Sequence, residues 1–197
     1  GTDGTLGTDD DVDHRIAMVG FASERWYEGR NYNYGNTALF VGSTQYTYNA
    51  GAQNSPTNAN AAQQHYTDAF QDMSTAAGQT NVAASIEALS ANGGTHIQLG
   101  MEMANGILAA NPLGEGEQRN RVVIVFTDGT PGWSGFDETV ANNAISQAYT
   151  TKNTHGATVY TVGIFAGASV TPGTLPEGDT NANRFMNLLS SNYKTAA

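Results

Sequence analysis

Apolar residues in this chain fall into two kinds of stretch: short unbroken runs and runs spaced at helical period. Ile16-Ala17-Met18-Val19-Gly20-Phe21 is unbroken and too short for a helix, so it reads as a buried strand. Residues 24–37 read as a loop holding Trp26, Tyr27, Tyr32 and Tyr34, and a weakly alternating strand follows over 38–48. Residues 50–62 read as loop running into a helix over 65–73. Asn81 is placed to cap a further helix whose apolar residues are Val82, Ile86 and Leu89. Asn92-Gly93-Gly94-Thr95 is a turn, and beyond it Ile97, Met101, Ala104 and Leu108 recur at helical spacing until Pro112 and Gly114. Arg121-Val122-Val123-Ile124-Val125-Phe126 carries the strongest strand signal. It is apolar on both faces, as a parallel strand is when helices cover both sides. A helix over 137–153 presents Val140, Ala144, Ile145 and Ala148 on one face, and Gly156 closes it. A buried strand over 158–165, a Gly/Pro-rich loop over 166–180 and a helix over 184–191, with Phe185, Leu188 and Leu189 inward, complete the pattern.

Strands alternating with helices predict an α/β fold, doubly wound, with a mostly parallel sheet and helices on both faces. The first two strands are the exception. Their fourteen-residue connection holds no helix, so they are expected to pair antiparallel at one edge. A leader over 1–13 precedes one domain over 14–197.

Composition changes this picture in a few places. The net charge is −10 and the chain has eight Lys and Arg, which excludes the basic footprint that nucleic-acid binding needs. Cysteine is absent, so there are no disulfides or thiolate metal sites. No apolar run is long enough to insert into a membrane. Charged residues make up only 13% of the chain, and its polar surface of Asn, Thr, Ser, Gln and Gly fits an extracellular protein. Asp9, Asp10, Asp11 and Asp13 crowd the leader and read either as a Ca²⁺ loop or as a solvated acidic turn. Lys152 and Lys194 fall where exposure is expected, so no isopeptide cross-link is expected.

The candidate chemistry centres on two residues. Asp128 follows the strongest strand, at the carboxyl end where ligands bind in open α/β sheets. Thr95 follows Gly93-Gly94 at the start of a helix. Taken singly, each reads as a helix cap. In this order, Gly93-Gly94-Thr95 and Val123-Ile124-Val125-Phe126-Thr127-Asp128-Gly129 resemble the second and third metal-site elements of von Willebrand factor A (VWA) domains. The strand ending in Phe21 is similar to that family's second strand, and the resemblance spans roughly residues 14–195. It implies a metal-ion-dependent adhesion site holding Mg²⁺ or Mn²⁺ through Thr95 and Asp128. The family's first motif, Asp-x-Ser-x-Ser on the first strand, is absent here. The expectation is that this strand and its helix lie before Gly1 or come from another polypeptide, which would complete both sheet and metal site.

Loops 24–37, 129–137 and 166–180 would emerge around that site, bringing Trp26, Tyr27, Tyr32, Tyr34, Trp133 and Phe136 to a protein or glycan ligand. No enzyme is expected. Gly132-Trp133-Ser134-Gly135 is not a nucleophile elbow, and the four histidines have no metal-ligand spacing. The resulting expectation is a cell-surface adhesion module in the style of Gram-positive surface and pilus-tip proteins. The alternative is a structural or assembly scaffold with a degenerate metal site.

Overall fold

The computed structural model describes residues 14–22, 24–27, 30–33, 37–48, 61–90, 94–117, 119–128, 130–132, 135–167 and 180–192. The chain is a mixed α/β protein with nine short strands and four α-helices among these residues. In order they are β1 (Arg15–Ile16), β2 (Met18–Gly20), β3 (Glu24–Tyr27), β4 (Arg30–Asn33), β5 (Ala38–Val41), β6 (Thr44–Thr47), a 3₁₀ turn (Ala61–His65) and β7 (Gln71–Asp72). Then come α1 (Ala76–Glu87), α2 (Ile97–Ala110), β8 (Val122–Thr127), α3 (Glu138–Asn153), β9 (Thr158–Gly163) and α4 (Asn181–Leu189).

One strand pair, β8 with β9, is parallel. The pairs β1–β7, β2–β5, β3–β4 and β5–β6 are antiparallel. A mostly parallel sheet is therefore not what these pairs form, although the antiparallel pairing expected between the first strand and the 38–48 region is present as β2–β5. Three segments differ from their expected state for local reasons. The loop expected over 24–37 contains the β3–β4 hairpin, since aromatic residues suit a pleated strand. The single strand expected over 38–48 folds back on itself at Gly42, whose φ of 60° suits glycine. The helix expected over 65–73 stops at His65, whose ring stacks on Tyr46 at 3.7 Å between centroids. Gln71 and Asp72 then extend to pair with β1.

The start of α1 also moves. Thr75 is its N-cap, accepting from Gly78 N at 3.0 Å, and Asn81 lies inside the helix with its amide on Gln71. Gly78 meets the Asp72 main chain so closely that a Cβ there would lie 1.8 Å from Asp72 O.

Helix α2 ties the molecule together. Its Ile97 and Met101 belong to a core with Val125, Ala144, Ala148, Val159, Phe185 and Leu189. Its Met103 and Ile107 belong to a second core with Leu39, Tyr48 and Tyr66, against which Val19 packs. Phe21, just past β2, lies against Gly100 of α2, so close that a Cβ at Gly100 would be 3.0 Å from Phe21 Cβ. Gly20 points the other way, toward Leu89 beyond the end of α1. Successive strand residues face opposite sides, so α1 and α2 flank β2 on opposite faces.

Two burial expectations are corrected. Lys152 is buried, and its Nζ donates to Leu188 O and Ser190 O at 3.2 Å, satisfying carbonyls at the end of α4. Among the described residues, strands β8 and β9 are covered on one face only. Val122, Ile124, Phe126, Tyr160, Val162 and Ile164 are exposed on the other.

Candidate metal centre

Of the two expected metal-site residues, Asp128 sits at the end of β8 and Thr95 is tied to Gly132, further along the loop that follows it. Asp128 is the first residue past the strand and is exposed. Ile164 N donates to Thr127 O at 2.8 Å, which fixes the strand end just before it. Thr95 is half-buried and forms an antiparallel bridge with Gly132. Thr95 N donates to Gly132 O at 2.8 Å and Gly132 N donates to Thr95 O at 3.0 Å. The segment entering α2 is thus clamped to the segment leaving β8. Glycine suits position 132 because its φ is 128° and a Cβ would lie 2.4 Å from Gly135 O.

Thr95 is not the cap of α2. His96 occupies that position, with no side-chain hydrogen bond to the first turn. The N–H groups of its first turn make this helix end electropositive. Burial pushes the His96 imidazole below its ordinary pKa, partly opposed by the Asp137 carboxylate. Asp137 caps α3, its Oδ1 accepting from Thr139 N at 2.8 Å and Val140 N at 3.1 Å. Its own N–H donates to Pro131 O at 2.7 Å. Beside His96, Gln98 Oε1 is buried without a hydrogen-bond partner, while Gln98 Nε2 lies 3.3 Å from His96 Nδ1.

The donor types suit Mg²⁺ or Mn²⁺, because a hydroxyl and a carboxylate are hard oxygen ligands. The donor number falls short. Among the described residues no group of three or more His, Cys, Asp or Glu converges on one point. Thr95 and Asp128 together offer two side-chain ligands where such ions take about six oxygens.

The remaining expected site residues are distributed unevenly. Asp9, Asp10, Asp11, Asp13, Tyr34 and Trp133 lie outside the described residues. The backbones of Trp26, Tyr27 and Tyr32 form the β3–β4 hairpin, in the register Trp26 with Asn31 and Tyr32 with Arg25, and their side chains lie outside the described residues. Phe136 is a correction. It packs on the first core edge-to-face with Phe185, at 6.4 Å, rather than lining a ligand loop.

Three residues escaped the sequence reading. Asp137 precedes a helix and could have been found as a cap. Gln98 had no signal. Thr37 is buried, and its Oγ1 accepts from Ala22 N at 2.9 Å and donates to Ala22 O at 2.7 Å. It closes the base of the hairpin excursion between β2 and β5, a long-range contact that no local pattern encodes.

The excursion leaves beyond Phe21, which lies against Gly100 of α2. The loop that follows β8 meets the segment before α2 at the Thr95–Gly132 bridge. Compared with family models, curated proteins and solved structures, the chain matches none.

Proposed function

We propose that this chain is the larger part of a VWA-like, doubly wound adhesion domain that binds its ligand through a divalent cation at Thr95 and Asp128. The observation that carries the reading is the Thr95–Gly132 bridge. It brings the Gly-Gly-Thr segment against the segment that follows Thr-Asp-Gly, at the carboxyl end of a parallel strand, where open α/β folds bind ligands.

In this reading Thr95 Oγ1 and the Asp128 carboxylate hold Mg²⁺ or Mn²⁺, and a segment beyond residues 1–197 supplies further oxygens. The ion would present a positive centre to an acidic group on a protein or glycan ligand. The β3–β4 hairpin would supply the surrounding contact surface. The module has no catalytic role and works outside the cell, on a bacterial wall or pilus. Ca²⁺ at Asp9, Asp10, Asp11 and Asp13 belongs to the same proposal.

The uncovered face of β8 and β9 favours a second reading, a scaffold piece in a larger assembly with a metal site that no longer works. A thermal melt separates the two. With the completing segment present, millimolar Mg²⁺ or Mn²⁺ raises Tm by stabilising the state that binds it, and Asp128→Ala removes the rise. An unchanged Tm favours the scaffold.

A further inference from the structure

We infer that the groove between α3 and α4 binds a small apolar α-amino acid, with its ammonium group at Glu138 and its carboxylate at Arg184. The metal site takes no part in this inference.

The sequence builds the groove from two matching helix faces. Glu138, Ala141, Asn142 and Ile145 stand at i, i+3, i+4 and i+7 of α3, so they share one face. Asn181, Arg184, Phe185 and Leu188 repeat that spacing on α4. Together the two faces line one cavity of about 210 Å³. Both helices pack on β9, and their ends meet where Lys152 donates to Leu188 O and Ser190 O. Ala141 is the smallest of the lining side chains, which leaves room between the helices.

The floor and the rim differ in chemistry. Ile145 and Phe185 are buried members of the first core, and Leu188 packs against it. The rim carries one charge of each sign. Glu138 is the first residue of α3 and Arg184 the fourth of α4, both exposed. Neither side chain makes an ion pair or hydrogen bond among the described residues.

Those poles select the ligand class. An acid alone would meet the Glu138 carboxylate, a base alone the Arg184 guanidinium, and a plain hydrocarbon would leave both unused. A zwitterion satisfies the two walls at once. An α-amino acid joins both poles on one carbon and sends its side chain away from them, toward the apolar floor. The Asn142 amide on the α3 wall can serve the polar atoms that remain. Pockets for drug-sized ligands run to about 300–1,000 Å³, so this groove suits something smaller, of the size of leucine. Because its charges are exposed to water, they contribute modestly, and a dissociation constant on the order of 1 mM is expected.

The test is titration of ¹⁵N-labelled 1–197 with L-leucine, followed through its amide signals with no metal added. The expected result is saturable shifts at Ala141, Ile145, Phe185 and Leu188. N-acetyl-leucine lacks the ammonium, leucinamide the carboxylate and glycine the side chain, and each should bind about fivefold more weakly. Glu138→Gln should weaken leucine and leave N-acetyl-leucine unchanged. Arg184→Gln should weaken leucine and leave leucinamide unchanged. Asn142→Trp, at an exposed position on the same face, should fill the groove and abolish the shifts at an unaltered urea midpoint. Absence of saturable shifts overturns the inference. So does N-acetyl-leucine, leucinamide or glycine binding as tightly as leucine, or shifts that survive Asn142→Trp. With no metal present, none of these outcomes bears on the adhesion proposal, so either can fail without the other.

Discussion

The two sheet halves that rest on α2 are built from similar residues and end in different states. In the antiparallel half, Leu39 is 0% exposed and Phe40 beside it 4%, because α2 covers one face and α1 the other. In the parallel half, Val125 is 5% exposed and Phe126 beside it 59%. Both pairs are apolar neighbours on a strand. What differs, among the described residues, is whether a helix lies on each side.

The largest expected effect sharpens that contrast directly. Leu39→Ala should cost roughly 3 kcal/mol, since it empties a site closed on both faces. Ile124→Ala in residues 1–197 should stay within about 0.5 kcal/mol, as for exposed positions. Urea unfolding measures both. A comparable loss at Ile124 would mean that the bare face is already occupied.

A middle-sized effect probes the antiparallel half alone. Burial, with a hydrogen bond to Glu102, pushes the Tyr48 phenol well above its ordinary range, and burial does the same for Tyr66. Folded-state pKa values above the unfolded ones contribute stability that is present below pH 10.0 and lost as pH rises beyond it, because the unfolded phenols ionise first. Tyr48→Phe should cost about 1 kcal/mol at neutral pH by losing its hydrogen bond, and it should flatten the alkaline decline. Chemical denaturation between pH 8 and pH 11 reads both changes.

The smallest effect lies where the parallel half begins. Burial, and then the Arg121 guanidinium, lower the pKa of His155 from 6.5. The unfolded state then takes up the proton first, so stability falls as pH drops through 6.5. His155→Gln should reduce that acid slope slightly while leaving the alkaline one unchanged. An unaltered slope would place the acid sensitivity elsewhere.

Much of the parallel half was legible because its signals are local. The helical period through Ile97, Met101 and Leu108, the run into Phe126 and the stripe of Val140, Ala144 and Ala148 each sit on the element expected. The antiparallel half was read less well. Its hairpins, its 3₁₀ turn and the shift of the α1 cap to Thr75 follow from pairings across the chain, such as Asp72 with Arg15 and Ala22 with Thr37. Lys152 misled for the same reason, since its partners are main-chain carbonyls at the end of another helix. For the candidate site, Thr95 and Asp128 were readable as motifs. The bridge from Thr95 to Gly132 and the orphaned Gln98 oxygen were not, because both depend on how two loops meet.

The central claim is the proposal that Thr95 and Asp128 together hold a divalent cation. Calorimetric titration of Mn²⁺ into the domain with its completing segment present tests it most directly. The expected result is saturable binding of one ion, abolished by Asp128→Ala and weakened by Thr95→Ala. Absence of binding, or binding unchanged by Asp128→Ala, would contradict it.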